Sequence, residues 1–443
     1  MNIEAVAHVM RSMETPRHVL PGLEQLPYAP DRLPSSGASV RPTRLGWLDA
    51  LRGIAALVVV FDHSSYSFMA ELRGELMPEF NTSRYGVMVF FLVSGYIIPA
   101  SLERRGCVRT FWIGRVSRIY PLWVTAVAAL IVADASGVAE MREFGGQSVA
   151  SVAVAHVSLL QELLGTPNLL LVLWTLSYEM AFYLLVVALF TLRLHRRSSL
   201  VAAVLAVAAA VSVTAASALP VSALSGVLGT GRLVAIATTV MVVAICCAST
   251  GLPALRVFGG LLGGGLALVL ISFNSTVPMW EGLVILAVMF LGTVAYRAEQ
   301  GQIPWRYAAA TAAVVVVCAV GSAYAYGDGS HFTRRGWIVA FLMAVGTFGA
   351  GLAFRRRRVP RLLVGLGTIS YSVYMVHPVL LAVSDATIGR RPHDSLVLEG
   401  AFYAVLLPLS WLTHRHVEKP GQRWGRNLAR RDLTRRDARS LGR

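Results

Sequence analysis

The chain has 443 residues, of which 55% are hydrophobic and only 14% charged, and its mean hydropathy is +0.60. That composition excludes an ordinary soluble enzyme and marks a polytopic membrane protein. The net charge of +16 does not point to nucleic acid, because the arginines sit in short loops between apolar runs and in the tail, where charge fixes membrane orientation.

Residues 1–44 hold six prolines, from Pro16 to Pro42, and no apolar run long enough for a signal peptide, which predicts a disordered cytoplasmic arm. Met10 or Met13 would serve equally well as the start. Gly46 to Tyr66 is long enough to cross roughly 30 Å of hydrocarbon as a helix, yet it carries Asp49, Arg52, Asp62 and His63. Ionisable groups at that depth cost several kcal/mol, so they face a protein interior or a wet cavity and mark function. Arg52 and His63 lie eleven residues apart, about three turns, so one helix face carries both roughly 16 Å apart. Asp49, one turn before Arg52, is placed to neutralise it.

Phe68 to Arg84 reads as an outer loop, followed by a second span over Tyr85 to Ala100 and by Glu103 to Arg118, which has five arginines and a cytoplasmic signature. A third span runs from about Ile119 to Ala133. The apolar patch from Val149 to Leu164 is placed on, or re-entering, the outer surface, because counting it as a span would put Arg193 to Arg197 outside. Further spans are expected near Leu170–Leu192, Leu200–Ala218, Leu233–Ser249, Leu255–Phe273, Trp280–Tyr296, Tyr307–Tyr326, Trp337–Phe354, Leu362–Val383 and Leu396–Thr413. The basic loops at Arg193, Arg297 and Arg355 then all fall inside. The glycine-rich Gly259 to Gly265 fits either a tight helix crossing or a broken helix.

The expected architecture is an all-α transmembrane bundle of about 10–12 spans with both termini cytoplasmic. It comprises an arm at 1–44, a membrane domain at 45–414 and a basic tail at 415–443, read as a solvated arm near anionic headgroups. The four cysteines offer no disulfide framework and are expected reduced.

His63 is the first chemical candidate. An imidazole accepts a proton near neutral pH and suits general-base work in acyl transfer, although a histidine near a helix end more often only packs. Arg52, one face below, suits a phosphate-bearing donor. Arg115 and Arg118, at i and i+3, can turn two guanidiniums to the same anion or simply anchor the helix. Ser94 and Gly95, just before Pro99, can open the helix backbone toward a thioester or serve helix packing. Glu179 shares a face with Thr175 and Tyr183 and can orient His63 or pair with Arg52. His377 sits one turn after Tyr374 and reads as structural or substrate-positioning. His416 and Glu418 would brace the cytoplasmic end.

Taken in order, these segments resemble the membrane-bound acyltransferase-3 family. Its Arg-x10-His helix appears as Arg52 and His63 in LDALRGIAALVVVFDH, its FFxxSGF element as FFLVSGY at Phe90 to Tyr96, and its RxxR as Arg115 and Arg118. WTLSYE at Trp174 to Glu179, SYSVYMVH at Ser370 to His377 and HVEKP at His416 to Pro420 continue the pattern to residue 420. The resemblance implies transfer of an acyl group from acyl-CoA, acetyl-CoA or another short-chain form, to a hydroxyl of a sugar or sugar-bearing metabolite, without a metal. His63, Arg52 and Glu179 would be catalytic, and Arg115, Arg118, Arg52, Ser94 and Gly95 would bind the donor. Tyr96, Trp174, Tyr374 and His377 would position substrate. The implied setting is the bacterial plasma membrane, with the lipid bilayer as partner and no nucleic acid. The acceptor, an envelope polysaccharide or a macrolide-like metabolite, stays open. The competing reading is a transporter with Arg52 and His63 as a proton relay, against which stands the lack of any internal repeat.

Overall fold

A computed structural model describes residues 45–140, 144–215, 221–329 and 332–441, with side chains as far as Asp432. The expected arm at 1–44 lies outside the described residues. The described chain is helical, and its one β-bridge joins Gly329 to Phe332. In chain order the long helices are α1 (Gly46–Phe68), α3 (Thr82–Arg105), α4 (Val108–Ala135), α6 (Trp174–Thr191), α9 (Thr230–Ala248), α10 (Pro253–Phe273), α11 (Met279–Glu299), α12 (Trp305–Tyr326), α13 (Arg334–Ala353), α14 (Arg361–Thr387), α15 (Leu396–Thr413) and α16 (Lys419–Leu441). Shorter ones are α2 (Ala70–Glu79), α5 (Val149–Val157), α7 (Ser198–Ser212) and α8 (Ala223–Leu228). The expected fifth span is α7 plus one 3-10 turn, and its last residues fall in the undescribed 216–220.

Ten helical runs among the described residues are long and apolar enough to cross a membrane. The protein is therefore a multi-pass membrane protein. The charges of α1 set it apart from those ten, but its 23 residues span about 34 Å, and it lies against α3 and α14. Burial separates centre from rim. In α3, α6 and α11, 83% of the apolar window is inside the protein, against 33% in α4, α9, α12 and α13.

Close helix crossings hold the centre. Gly53 and Gly367 bring α1 and α14 together, and a Cβ on Gly367 would sit 1.8 Å from the Asp49 carbonyl oxygen. The glycines of 259–265 resolve as a crossing: α10 is unbroken, with Gly259 against α9 and Gly260 and Gly264 against α6.

Three segments differ from the sequence expectation. The supposed outer loop after α1 contains α2, whose Arg73 reaches back to the end of α1. The arginine-rich stretch before the third span is not a loop, because α4 begins at Val108 and carries Arg115 and Arg118 within it. The tail continues α15 through a π-helical turn, His414–Glu418, into α16, whose Gly421 and Gly425 lie against Pro121 and Ser117 of α4. The patch after α5 re-enters the bundle, where Leu159 to Leu164 are buried.

Candidate active site

Two cavities open within the described bundle and share no lining residue. The first, about 80 Å³, is walled by α1, α3, α4, α6 and α14 and contains Arg52, Ser94, Arg118, Thr175, Glu179 and Tyr374. The second, about 1390 Å³, opens around the far end of α1 and contains His63, Arg84, Glu162, Asn168 and Trp174.

Arg52 and Arg118 make no hydrogen bond or ion pair with a described residue. Two guanidiniums that no carboxylate contacts directly line one cavity together with the Glu179 carboxylate, an arrangement able to receive an anion. Arg115 does not join them. It is 7% exposed, donates to Ser101 Oγ at 3.1 Å and stacks near Phe111 and Tyr183. Adjacent turns of α4 thus send Arg118 into the cavity and Arg115 into packing. Glu179 stays with Arg52, accepting a 2.6 Å hydrogen bond from Tyr183, and does not reach His63.

Ser94 lines the first cavity, but Gly95 does not. A Cβ there would lie 1.7 Å from the Met289 carbonyl oxygen, and the Gly95 carbonyl is already taken by the Thr293 hydroxyl at 2.8 Å. Of the two readings, an opened backbone or helix packing, the structure shows the packing. Tyr96 is likewise structural: its hydroxyl donates to Glu299 and its ring packs on Trp47 and Tyr296, away from both cavities. Glu418 braces α14 through Ser372, while His416 is exposed and makes no such contact.

His63 and His377 sit side by side. His63 Nδ1 is 2.9 Å from His377 Nε2, and His377 Nδ1 is 3.0 Å from the Val373 carbonyl oxygen. A carbonyl only accepts, so His377 Nδ1 carries the proton; its Nε2 must then accept from His63 Nδ1–H. For a neutral pair this leaves His63 Nε2 with the free lone pair. Asp62 Oδ2 lies 3.8 Å from that nitrogen, and the other Asp62 oxygen is held by Thr82 and Arg73. The arrangement suits a base whose cationic form is steadied by a fixed carboxylate.

Tyr374 stands between the first cavity and His377. It lines the first, hydrogen-bonds Thr175 at 2.8 Å and lies edge-on to His377. Trp174 and Thr175, neighbours in sequence, face opposite cavities.

Sequence reasoning missed Arg84, Glu281, Glu162 and Asn168. Arg84 Nε lies 2.7 Å from Glu281 Oε1, which also accepts from Trp337 Nε1 at 3.0 Å. A carboxylate in the apolar start of α11 was the signal for that pair, as was Gln161–Glu162 within the re-entrant patch.

Acyltransferase MdmB from Streptomyces mycarofaciens is 35% identical over 153 residues, a match covering 32% of this chain and 38% of that protein. No solved structure matches the chain. The Acyl_transf_3 acyltransferase domain, in contrast, matches residues 45–415, nearly the whole membrane bundle, and the chain belongs to that acyltransferase family.

Proposed function

We propose that this membrane acyltransferase moves an acyl group from acyl-CoA to a hydroxyl of a sugar-bearing acceptor, with His63 Nε2 as general base. Membership of an acyltransferase family displaces the exporter reading. The observation that carries the proposal is the His63–His377 pair, whose hydrogen bonds leave one basic nitrogen in the wall of the acceptor-sized cavity.

The donor enters by the first cavity, which widens to admit it, with its phosphates toward Arg118 and Arg52 and its thioester toward Tyr374. An extended pantetheine arm is comparable to the roughly 16 Å from Arg52 to His63 along α1. Transfer requires the Tyr374 wall to part so that the thioester carbonyl meets the hydroxyl held at His63. His63 Nε2 takes the hydroxyl proton as the oxygen attacks the carbonyl carbon. Collapse of the tetrahedral adduct breaks the carbon–sulfur bond, and the imidazolium returns its proton to the departing thiolate. The products are the ester and free CoA. Asp62 stabilises the transient imidazolium, and a base so placed contributes roughly 10²–10⁴-fold. The basic end, where α1 begins, faces the cytoplasm of a bacterial plasma membrane, in keeping with the loop arginines at 193 and 355; Arg297, expected in a basic loop, is instead buried at the end of α11 and paired with Glu103.

The test is His63→Ala in protein purified into lipid nanodiscs. Acyl-CoA-dependent thiol release is lost while the variant stays monodisperse; retained turnover overturns the assignment.

A further inference from the structure

The second cavity holds a carboxylate and an amide that the fold fixes without satisfying. Glu162 is only 5% exposed, yet it lines the cavity. Its position is imposed by the re-entrant segment: Gln161 donates to the Leu173 carbonyl at 2.7 Å, and the Glu162 backbone N–H donates to Ser177 Oγ at 3.2 Å. His156 Nε2 holds the Leu169 N–H at 3.2 Å, closing the same segment over the cavity. Asn168 Nδ2 donates to Glu162 Oε2 at 2.7 Å. A carboxylate only accepts, so the amide orientation is fixed and Asn168 Oδ1 points away, buried and without a partner. The other Glu162 oxygen accepts no hydrogen bond from a described residue.

A carboxylate oxygen kept in a cavity wall without a donor of its own is open to one from the cavity. A hydroxyl supplies it. Arg84 adds no attraction for an anion, being held against Glu281, and its guanidinium lies 5.3 Å from the Trp174 ring centroid. Trp174 gives the cavity an aromatic surface of the kind on which the apolar face of a sugar ring rests. Leu169 to Leu171, Val277 and Leu381 give it an apolar remainder.

We propose that Glu162, Asn168 and Trp174 form the acceptor subsite, which takes the neutral, hydroxyl-bearing ring of an amphiphile and leaves its apolar body along the leucine-lined wall. A ring hydroxyl donates to the free Glu162 oxygen while Asn168 holds the other in place, and one further hydroxyl is turned to His63 Nε2. This rests on the acyltransferase reading above.

The experiment follows thiol release from acetyl-CoA by the full chain in nanodiscs, with n-octyl β-D-glucoside below its micellar concentration as the probe acceptor. Glucose and 1-octanol at equal concentration are the comparisons. Octyl glucoside accelerates release, and each half-probe does so about tenfold less, as the loss of either set of contacts requires. Glu162→Gln and Asn168→Leu each raise the KM for octyl glucoside about tenfold while the KM for acetyl-CoA moves less than about twofold. Should Asn168→Leu fail to insert, Asn168→Asp, of the same size, replaces it and shows the same split. Equal acceleration by glucose or octanol, no acceleration by octyl glucoside, or equal KM shifts for both substrates overturns the subsite. Failure of the acyltransferase reading looks different, since thiol release would then survive His63→Ala.

Discussion

The rings of His63 and His377 lie 13° from parallel with centroids 5.2 Å apart, joined by the 2.9 Å Nδ1–Nε2 contact across the α1–α14 crossing. In the proposed mechanism His377 is the orienting group: it holds one tautomer of His63 and lines neither cavity. His377→Leu should lower kcat by roughly 10²-fold, whereas His377→Gln, whose side-chain oxygen can accept from His63 Nδ1–H, should recover much of that loss. The check is the pH profile of kcat. A merely structural role leaves its shape unchanged, while loss of the orienting bond moves the limb that reports the base.

In the proposed mechanism Arg52 and Arg118, which line the first cavity, hold the donor's phosphates. Arg52→Ala and Arg118→Ala should each raise the KM for acetyl-CoA roughly tenfold. Neither should change the KM for S-acetyl-N-acetylcysteamine, which keeps the thioester but has no phosphate. Arg115→Ala should instead lower thermal stability, because its guanidinium is spent on Ser101 and two aromatic rings.

Gly95 faces the backbone of α11 so closely that any side chain forces the helices apart. Gly95→Ala should destabilise by about 1–3 kcal/mol, the usual cost of overpacking. Fluorescence-detected gel filtration after heating reads this as a lowered midpoint, with no change in KM for protein that remains folded.

At the far end of the bundle, the His393 imidazole meets Glu71 at 2.8 Å, and the Asp394 carboxylate caps α2 through the N–H groups of Glu71 and Leu72. The Glu71 hydrogen bond raises the His393 pKa above its ordinary 6.5, and the same bond lowers that of Glu71 below 4.5. The histidine's contribution is full below 6.5 and is lost as pH rises through its raised value. The carboxylate's is full above 4.5 and is lost as pH falls through its lowered one. Both groups are exposed, so the effect is local. Hydrogen exchange of the Arg391 and Ser395 amides, which bond to Ser67 and Phe68, should quicken beyond the intrinsic rate as pH rises above neutrality. His393→Ala should remove that dependence.

Hydropathy made most of the long helices legible, because burial in lipid or protein demands long apolar runs, and it marked the Val149 to Leu164 patch as no ordinary span. The stripe of Arg52 and His63 was legible from the helical repeat. What spacing could not decide was which neighbour each side chain meets. Arg115 and Arg118 look equivalent in sequence, and only the position of Ser101, Phe111 and Tyr183 separates them. Gly95 reads equally as an opening or a crossing until Gly292 is seen opposite, where a Cβ would meet the Leu92 carbonyl oxygen at 2.1 Å. The His63–His377 pair joins residues 314 positions apart, and no local pattern encodes it.

Because α1 runs without a break from Gly46 to Phe68, the reach from guanidinium to imidazole is set by a stiff rod and not by a loop. Adding one residue between Arg52 and His63 would advance the ring by about 1.5 Å and swing it about 100° around the rod. Deleting one would do the opposite. Either change unseats the ring from its partner on α14 while leaving composition and hydropathy almost untouched, so the length of this gauge, more than the identity of the residues that fill it, is what natural variation in the segment must preserve.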